Sequence, residues 1–526
     1  MSFKPNEPLA ENDTSLRNFG LCFILFGMLF SGWFVMGHLD LHNEEGRRVI
    51  SAKEMIESGN YIVPTVWGEP YLNKPPLYAW LTVAASWFTG EVDQVSVRWP
   101  AFLSTLLISL LLVIVGTKLG DKSAGLLAAC FFWLSPEIAG KSILGETDVL
   151  LTLGVALFSL PLIFLTRSGD RIPIAIFIVA TIGLIIAWLA KGASAIPFVL
   201  GTLIALGFRD GFHWKRIGSL LVPVLISVAL VSVWFIEVQQ RTADVEATEI
   251  WRQQVFREGS GFFNFEKMLE YVVGVFLAFL PGSLLLINRD ALRASGRPIG
   301  LTWTAILSVI MVPAAIFLFW PGTQPRYLLP LMPLTCLLAA RVICDAGRFN
   351  GLESLNFILR VVFVIGPAAI AVSSVMGRND FGQNPVPPLF WVISALMLVV
   401  SITKSEKLEF TGIPYLSRTL LLLFSINLGM FYVAIPKKAI EGPEAQVAEQ
   451  IYALVDEDET IWIEIPGNWN ALALLDRSVK WWTESAEWKP GDWRLGYSEK
   501  LSPVVGGHYI ELPEVDRTLE MKQFQR

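Results

Sequence analysis

The amino-acid sequence predicts an all-α polytopic membrane protein with a small C-terminal α/β domain, and three observations lead there. First, of 526 residues 53% are hydrophobic and only 17% are charged, where soluble domains carry about 25% charged residues. Mean hydropathy is +0.53, with 34 Phe and 19 Trp, and a surface that apolar would aggregate in water. Second, apolar runs of membrane-crossing length recur along the first 435 residues and then cease. Third, the charge is uneven: residues 436–526 hold 17 acidic and 10 basic side chains, while the whole chain carries −6. That balance offers no basic field for nucleic acid.

A hydrocarbon core of about 30 Å takes about 20 apolar residues in helical form. Such runs fall near 19–36, 98–117, 124–139, 148–166, 172–190, 193–208, 217–236, 267–287, 300–319, 327–343, 356–375, 388–403 and 418–435, about 13 spans. The first reads as an anchor, because no small-residue cleavage site follows it; Trp33, Met36 and His38 stand there instead. Loop charge sets the orientation. With the N-terminus in the cytoplasm, the inward loops carry fifteen Lys and Arg, among them Arg167, Arg209, Lys215 and Arg341. The short outward loops carry only Lys141, Lys191, Arg326 and Arg378. An odd number of spans then leaves the C-terminus outside. The division is a transmembrane part, 1–435, and an outer α/β domain, 436–526. Two long outer loops, 37–97 and 237–266, complete the exterior. Transporters keep their polar residues near the bilayer midplane; here they crowd the outer helix ends and outer loops, which places the chemistry at the outer surface.

Within the tail, Glu444–Leu454 and Asn470–Asp476 have helical spacing, and Glu459–Ile465, Val479–Thr483 and His508–Leu512 read as strands. Its tryptophans, including Trp481, Trp482, Trp488 and Trp493, either stack on sugars or serve as core and interface bulk. The four cysteines, Cys22, Cys130, Cys336 and Cys344, sit in apolar runs, so neither a disulfide framework nor a thiolate metal site is expected.

The first outer loop is the most informative stretch. Gly46–Ser58 sets Val49, Ala52 and Ile56 on one side and Arg47, Ser51, Glu54 and Ser58 on another, the pattern of a short amphipathic helix lying on the bilayer. The acidic pair Glu44–Glu45 precedes it, just beyond the first span. Further on, Lys74-Pro75-Pro76 fixes an extended backbone and projects a cation.

The run Glu44, Glu54-Met55, Ser58-Gly59-Asn60-Tyr61, Pro64, Gly68, Tyr71 and Lys74-Pro75-Pro76 resembles the first periplasmic loop of the aminoarabinose transferases. These belong to the protein O-mannosyltransferase-like group of GT-C membrane glycosyltransferases. Asp148, Ala190-Lys191-Gly192 and Tyr327-Leu328-Leu329-Pro330 agree with later pieces of that pattern, as do span number, orientation and outer tail. Where the family has a catalytic Asp followed by Glu, an ungapped count puts Glu44 and Glu45, and a one-residue insertion would put Asn43 first. The base therefore stays open between Glu44 and Glu45.

The resemblance implies an inverting transferase that moves a sugar from a polyprenyl-phosphate carrier to a lipid (lipid A-like), glycan or protein acceptor on the outer face of a bacterial inner membrane. Its leaving group is already a stable anion, so cations are needed and a general acid is not. Lys74, Arg257 and Tyr327 are the expected phosphate ligands, with Lys191 and Arg326 as further outer cations. Glu44 or Glu45 is the expected base, and Asp148 either orients the acceptor or the base, or caps the following span. No cofactor is implied. A divalent metal would rest on His38 and His42, spaced i, i+4 beside Asp40 and Glu45. The competing readings are a carrier or flippase for the same lipid-linked sugars, and a receptor-like protein that keeps the fold without the activity.

Overall fold

In the computed structural model, residues 44–167, 171–242, 265–279, 303–320 and 324–346 are described, with scattered positions between 22 and 42 and within 450–523. The spans expected over 356–435 lie outside the described residues, as do His38, Asp40, Asn43 and Arg257.

The long loop after the first expected span opens with α1 (Glu45–Ser58). Glu45, Val49, Ala52 and Met55 are buried against the bundle, and Ile56 is exposed. Val49 and Ala52 are thus on the buried side as expected, and only the last position differs, Met55 replacing Ile56. A two-residue ribbon, β1 (Thr65–Val66) with β2 (Glu69–Pro70), follows, and its tip is held by Glu54, which accepts from Gly68 N–H at 3.1 Å and from the Thr65 hydroxyl. The double proline then launches α2 (Leu77–Thr89).

Bundle helices follow in close order. Helix α3 (Gln94–Lys118) starts on a reciprocal cap, with Ser96 N–H donating to Asp93 at 2.7 Å and Asp93 N–H to the Ser96 hydroxyl at 2.8 Å. The run expected as one span over 124–139 is two helices, α4 (Lys122–Leu134) and α5 (Pro136–Lys141). Ser135 leaves helical geometry because it precedes proline. At about 1.5 Å per residue, α4 alone is too short to cross the hydrocarbon core.

Helix α6 (Thr147–Phe164) is the most buried of the long apolar helices. It packs along α7 (Ile174–Lys191), where a Cβ on Gly154 would stand 2.6 Å from the Gly183 carbonyl. Only paired glycines let two apolar helices approach that closely. A 3-10 turn (Gly192–Ala195) leads into α8 (Ile196–Asp210), then α9 (Trp214–Arg241). Helix α9 turns Leu225, Leu230, Val233 and Ile236 outward, the composition of a lipid-facing surface. Helices α10 (Phe265–Ala278), α11 (Trp303–Leu318) and α12 (Met332–Ala346) complete the described helices, with a 3-10 segment (Pro325–Leu331) ahead of α12. The span expected over 327–343 is therefore 3-10 in its first turns, as its two prolines, Pro325 and Pro330, dictate.

In the C-terminal part a five-stranded mixed sheet runs β4-β3-β5-β7-β6. Strands β3 (Thr460–Ile463), β4 (Ser478–Trp481) and β5 (Trp493–Tyr497) are parallel, while β6 (His508–Leu512) and β7 (Arg517–Gln523) add antiparallel. Strands β5 and β7 were not expected from the sequence. Trp462 and Trp493 are core residues, donating indole N–H groups to Asp492 at 3.0 Å and Glu459 at 2.8 Å.

Candidate active site

A cavity of about 1040 Å³ opens where α1, the Lys74 loop, the start of α6, the α7–α8 junction, α9, the end of α11 and the Pro325–Leu331 turn converge. Glu44, Lys74, Asp148, Lys191, Arg326 and Tyr327, scattered over 284 positions in the chain, all line it. One wall is polar and charged; the other, with Trp188, Val231, Phe235, Phe317 and Trp320, is apolar.

Glu44 stands immediately before α1, half-buried, with its carboxylate 3.2 Å from Arg47 and 3.4 Å from the Tyr71 hydroxyl. Burial, then Glu44, raise the Tyr71 pKa, so the phenol stays protonated. Glu45 points the other way. It is fully buried, does not line the cavity, and is gripped by Arg98 at 2.9 and 2.8 Å. It also accepts N–H groups from His42, at 2.8 Å, and from Gly145. Arg98 adds a bond to the Met36 carbonyl at 2.6 Å. The second acid of the pair therefore fastens the loop, α3 and the turn before α6. It is no longer a candidate base, since a carboxylate sealed from the cavity meets no substrate. A Cβ on Gly145 would lie 3.1 Å from the Glu45 carboxylate, which is why the turn there is a glycine.

Asp148 is the second residue of α6 and does not cap it; the residue at the cap position is Glu146. The Asp148 carboxylate is committed to the Lys191 ammonium and lies 3.4 Å from Lys141. Lys141 also pairs with Glu146 and stands 3.9 Å from Glu137. Burial alone would lower the Lys141 pKa, but Asp148 and Glu146 outweigh it and the net shift is upward. The Lys191 ammonium also sits 5.0 Å from the Tyr327 ring centroid, a cation–π distance.

Lys74 has no acid within ion-pair distance among the described residues. Burial and then Lys191 and Arg48 lower its pKa to about 8. A lysine held that way gains most from an anion. The buried Arg326 Nε–H likewise meets no acceptor among the described residues, and Arg48 reaches the Gly145 carbonyl and lies 5.2 Å from the Tyr78 ring centroid. Arg47, Arg48, Glu146 and Tyr71 line the cavity without having been expected. The spacing of Glu44, Arg47 and Arg48 on one helix start could have revealed the first two. His42 engages Glu45 through its backbone, and no group of three metal-ligating side chains occurs among the described residues.

A helical bundle with an amphipathic loop helix and a charged cavity over an apolar wall agrees with the resemblance read in the sequence. The model of the dolichyl-phosphate-mannose-protein mannosyltransferase family matches residues 73–236. An undecaprenyl phosphate-alpha-4-amino-4-deoxy-L-arabinose arabinosyl transferase of Serratia proteamaculans is 24% identical over 80% of this chain and 78% of its own. One of the same description from Pseudomonas savastanoi is 24% identical over 79% of each. In fold, the chain is similar to the crystal structure of ArnT from Cupriavidus metallidurans bound to undecaprenyl phosphate, with a TM-score of 0.72 at 16% identity, covering 95% of this chain and 97% of that one. By sequence and by fold the chain is thus similar to the aminoarabinose transferases, and part of it to the protein mannosyltransferase family.

Proposed function

We infer that the protein transfers a sugar from a polyprenyl-phosphate carrier to an acceptor oxygen at the outer face of a bacterial inner membrane. The observation that carries this reading is the convergence of Glu44, Lys74, Asp148, Lys191, Arg326 and Tyr327 on one cavity with an apolar wall. Such a wall suits an isoprenoid, and the cations suit its phosphate. Around this site we place about 13 spans, an N-terminus in the cytoplasm and the mixed sheet of residues 436–526 outside.

The reaction is a single displacement. The acceptor oxygen forms a bond to the anomeric carbon as the bond from that carbon to the phosphate oxygen breaks, and the electron pair leaves on polyprenyl phosphate. Attack from the opposite side inverts the centre. Lys74, with Arg326, Lys191 and Arg257, holds the charge that develops on the departing phosphate, and the Tyr327 hydroxyl adds a donor. Glu44 takes the proton of a hydroxyl acceptor. Asp148 is a positioning residue: its ion pairs fix Lys191 toward the cavity.

Comparing envelope glycolipids and glycans by mass spectrometry, with and without the protein, tests this. Loss of one sugar substituent and accumulation of its polyprenyl-linked precursor is the expected result; an unchanged envelope would overturn it.

A further inference from the structure

Lys141, Glu146, Asp148 and Lys191 form one buried group of charges, and Lys141 alone among them does not line the cavity. It ends the short helix α5, which Pro136 sets apart from α4. Lys141, Glu146 and Asp148 are each less than a tenth exposed, and the Lys191 side chain is 12% exposed. The two oxygens of Asp148 go to different cations, Oδ1 to Lys191 and Oδ2 to Lys141 at 3.4 Å. Lys141 also pairs with Glu146 and stands 3.9 Å from Glu137, whose side chain is one-third exposed. An ammonium has three donors, so one lysine can serve several acids. Together the four buried groups sum to zero charge, as groups so far from water require. The turn that joins Lys141 to Asp148 is itself held, since Gly145 donates to Glu45 and its carbonyl accepts from Arg48.

The division of Asp148 between two cations matters for Lys191. A carboxylate given wholly to one ammonium cancels most of its field at a nearby ligand, whereas one shared between two leaves each cation part of its field. Lys191 is the cation of the two that lines the cavity, with its ammonium 5.0 Å from the Tyr327 ring centroid. We propose that Lys141 is a positioning residue for donor binding: by holding Asp148 Oδ2 and Glu146, it keeps the charge of Lys191 available to the carrier phosphate. The inference rests on the transferase reading above and deepens it. Without Lys141, two carboxylates face one buried ammonium, the group carries a net negative charge, and a phosphate is held less tightly. Removing the Glu146 charge as well brings the group back to zero.

The test measures the dissociation constant of radiolabelled undecaprenyl phosphate for the purified full chain in detergent at neutral pH. Lys141→Met is expected to bind at least tenfold more weakly, and Lys141→Arg, which keeps the charge, within threefold of the unmodified protein. Adding Glu146→Gln to Lys141→Met is expected to regain at least threefold over the single variant, because one acid again faces one cation. A merely structural prop gives no such rescue, since a second substitution in it only adds damage. Lys141→Gln carries the same expectation as Lys141→Met and replaces it if the methionine variant does not fold. Single variants that bind within threefold of the unmodified protein, or a double variant no tighter than the single, overturn the proposal while leaving the transferase reading intact. An unmodified protein that does not bind this lipid overturns the transferase reading, and the proposal falls with it.

Discussion

Lys74 shows how a side chain can be tuned by what surrounds it. Its pKa of about 8 follows from burial first and from the neighbouring Lys191 and Arg48 second. Because the lysine must be charged to receive a phosphate, donor kcat/KM should be highest below pH 8 and fall as pH rises through that value. Lys74→Arg stays charged throughout and should flatten the alkaline limb, even if its geometry lowers the plateau. A pH profile of both proteins on one donor checks this. Glu44 answers a second question at the same scale. On a hydroxyl acceptor Glu44→Gln should lose at least a hundredfold in kcat, within the usual range for general base catalysis of about 10²–10⁴. On an acceptor that is already an ionised phosphate it should lose only a few-fold, since no proton needs removal. Parallel kinetics on defined acceptors separate these cases.

At the scale of elements, the arrangement depends on two devices. One is the Glu45–Arg98 pair, which pins the start of α1 to α3, and through Gly145 to the turn that presents Asp148. Removing one member of a fully buried pair leaves an uncompensated charge, costing about 3–5 kcal/mol. Arg98→Ala should therefore lower the unfolding midpoint in detergent by several degrees, where Arg47→Ala, at a half-exposed pair, should barely move it. The other is the Gly154–Gly183 contact. Gly154→Val has no room and should cost at least the 1–3 kcal/mol typical of overpacking, about as much again if the backbones separate, read in the same melts.

Helix positions at this scale were legible in the sequence where apolar runs were long, as in α3, α6 and α9, each of which carries an internal proline without ending there. They were misjudged where proline cut a run, at Pro136 and again at Pro325 and Pro330, because hydropathy does not report backbone breaks. The three strands expected in the tail are present as β3, β4 and β6, while β5 and β7 were missed. The site followed the same logic. Lys74 and Glu44 stood out through local motif, but the roles of Glu45 and Lys141 depend on partners 53 residues away or on a cluster formed only when α5 and α6 meet. Sequence spacing carries no trace of the first, whereas the partners of Lys141, namely Glu137, Glu146 and Asp148, are close to it in the chain.

On the scale of the whole molecule, the described residues form a membrane bundle with a cavity that gathers charged side chains from distant parts of the chain. Four helical segments among the described residues have the length and apolarity to cross a bilayer, Gln94–Lys118, Thr147–Phe164, Ile174–Asp210 and Ile217–Arg241. The cavity lies between the start of Thr147–Phe164, the stretch 188–197 and residues 228–235, beside the loop that carries Lys74. Lys53 in α1 donates to the Ala473 carbonyl at 3.0 Å, which ties the C-terminal part to the helix that follows Glu44. The most direct test is reconstitution of the purified full chain in vesicles with radiolabelled polyprenyl-phosphate sugar and an acceptor lipid. Expected are labelled acceptor on the side where the C-terminus lies, donor binding lost in Lys74→Met, and binding kept with transfer lost or reduced in Glu44→Gln. Label that crosses the bilayer without joining the acceptor, indifferent to both substitutions, would contradict it.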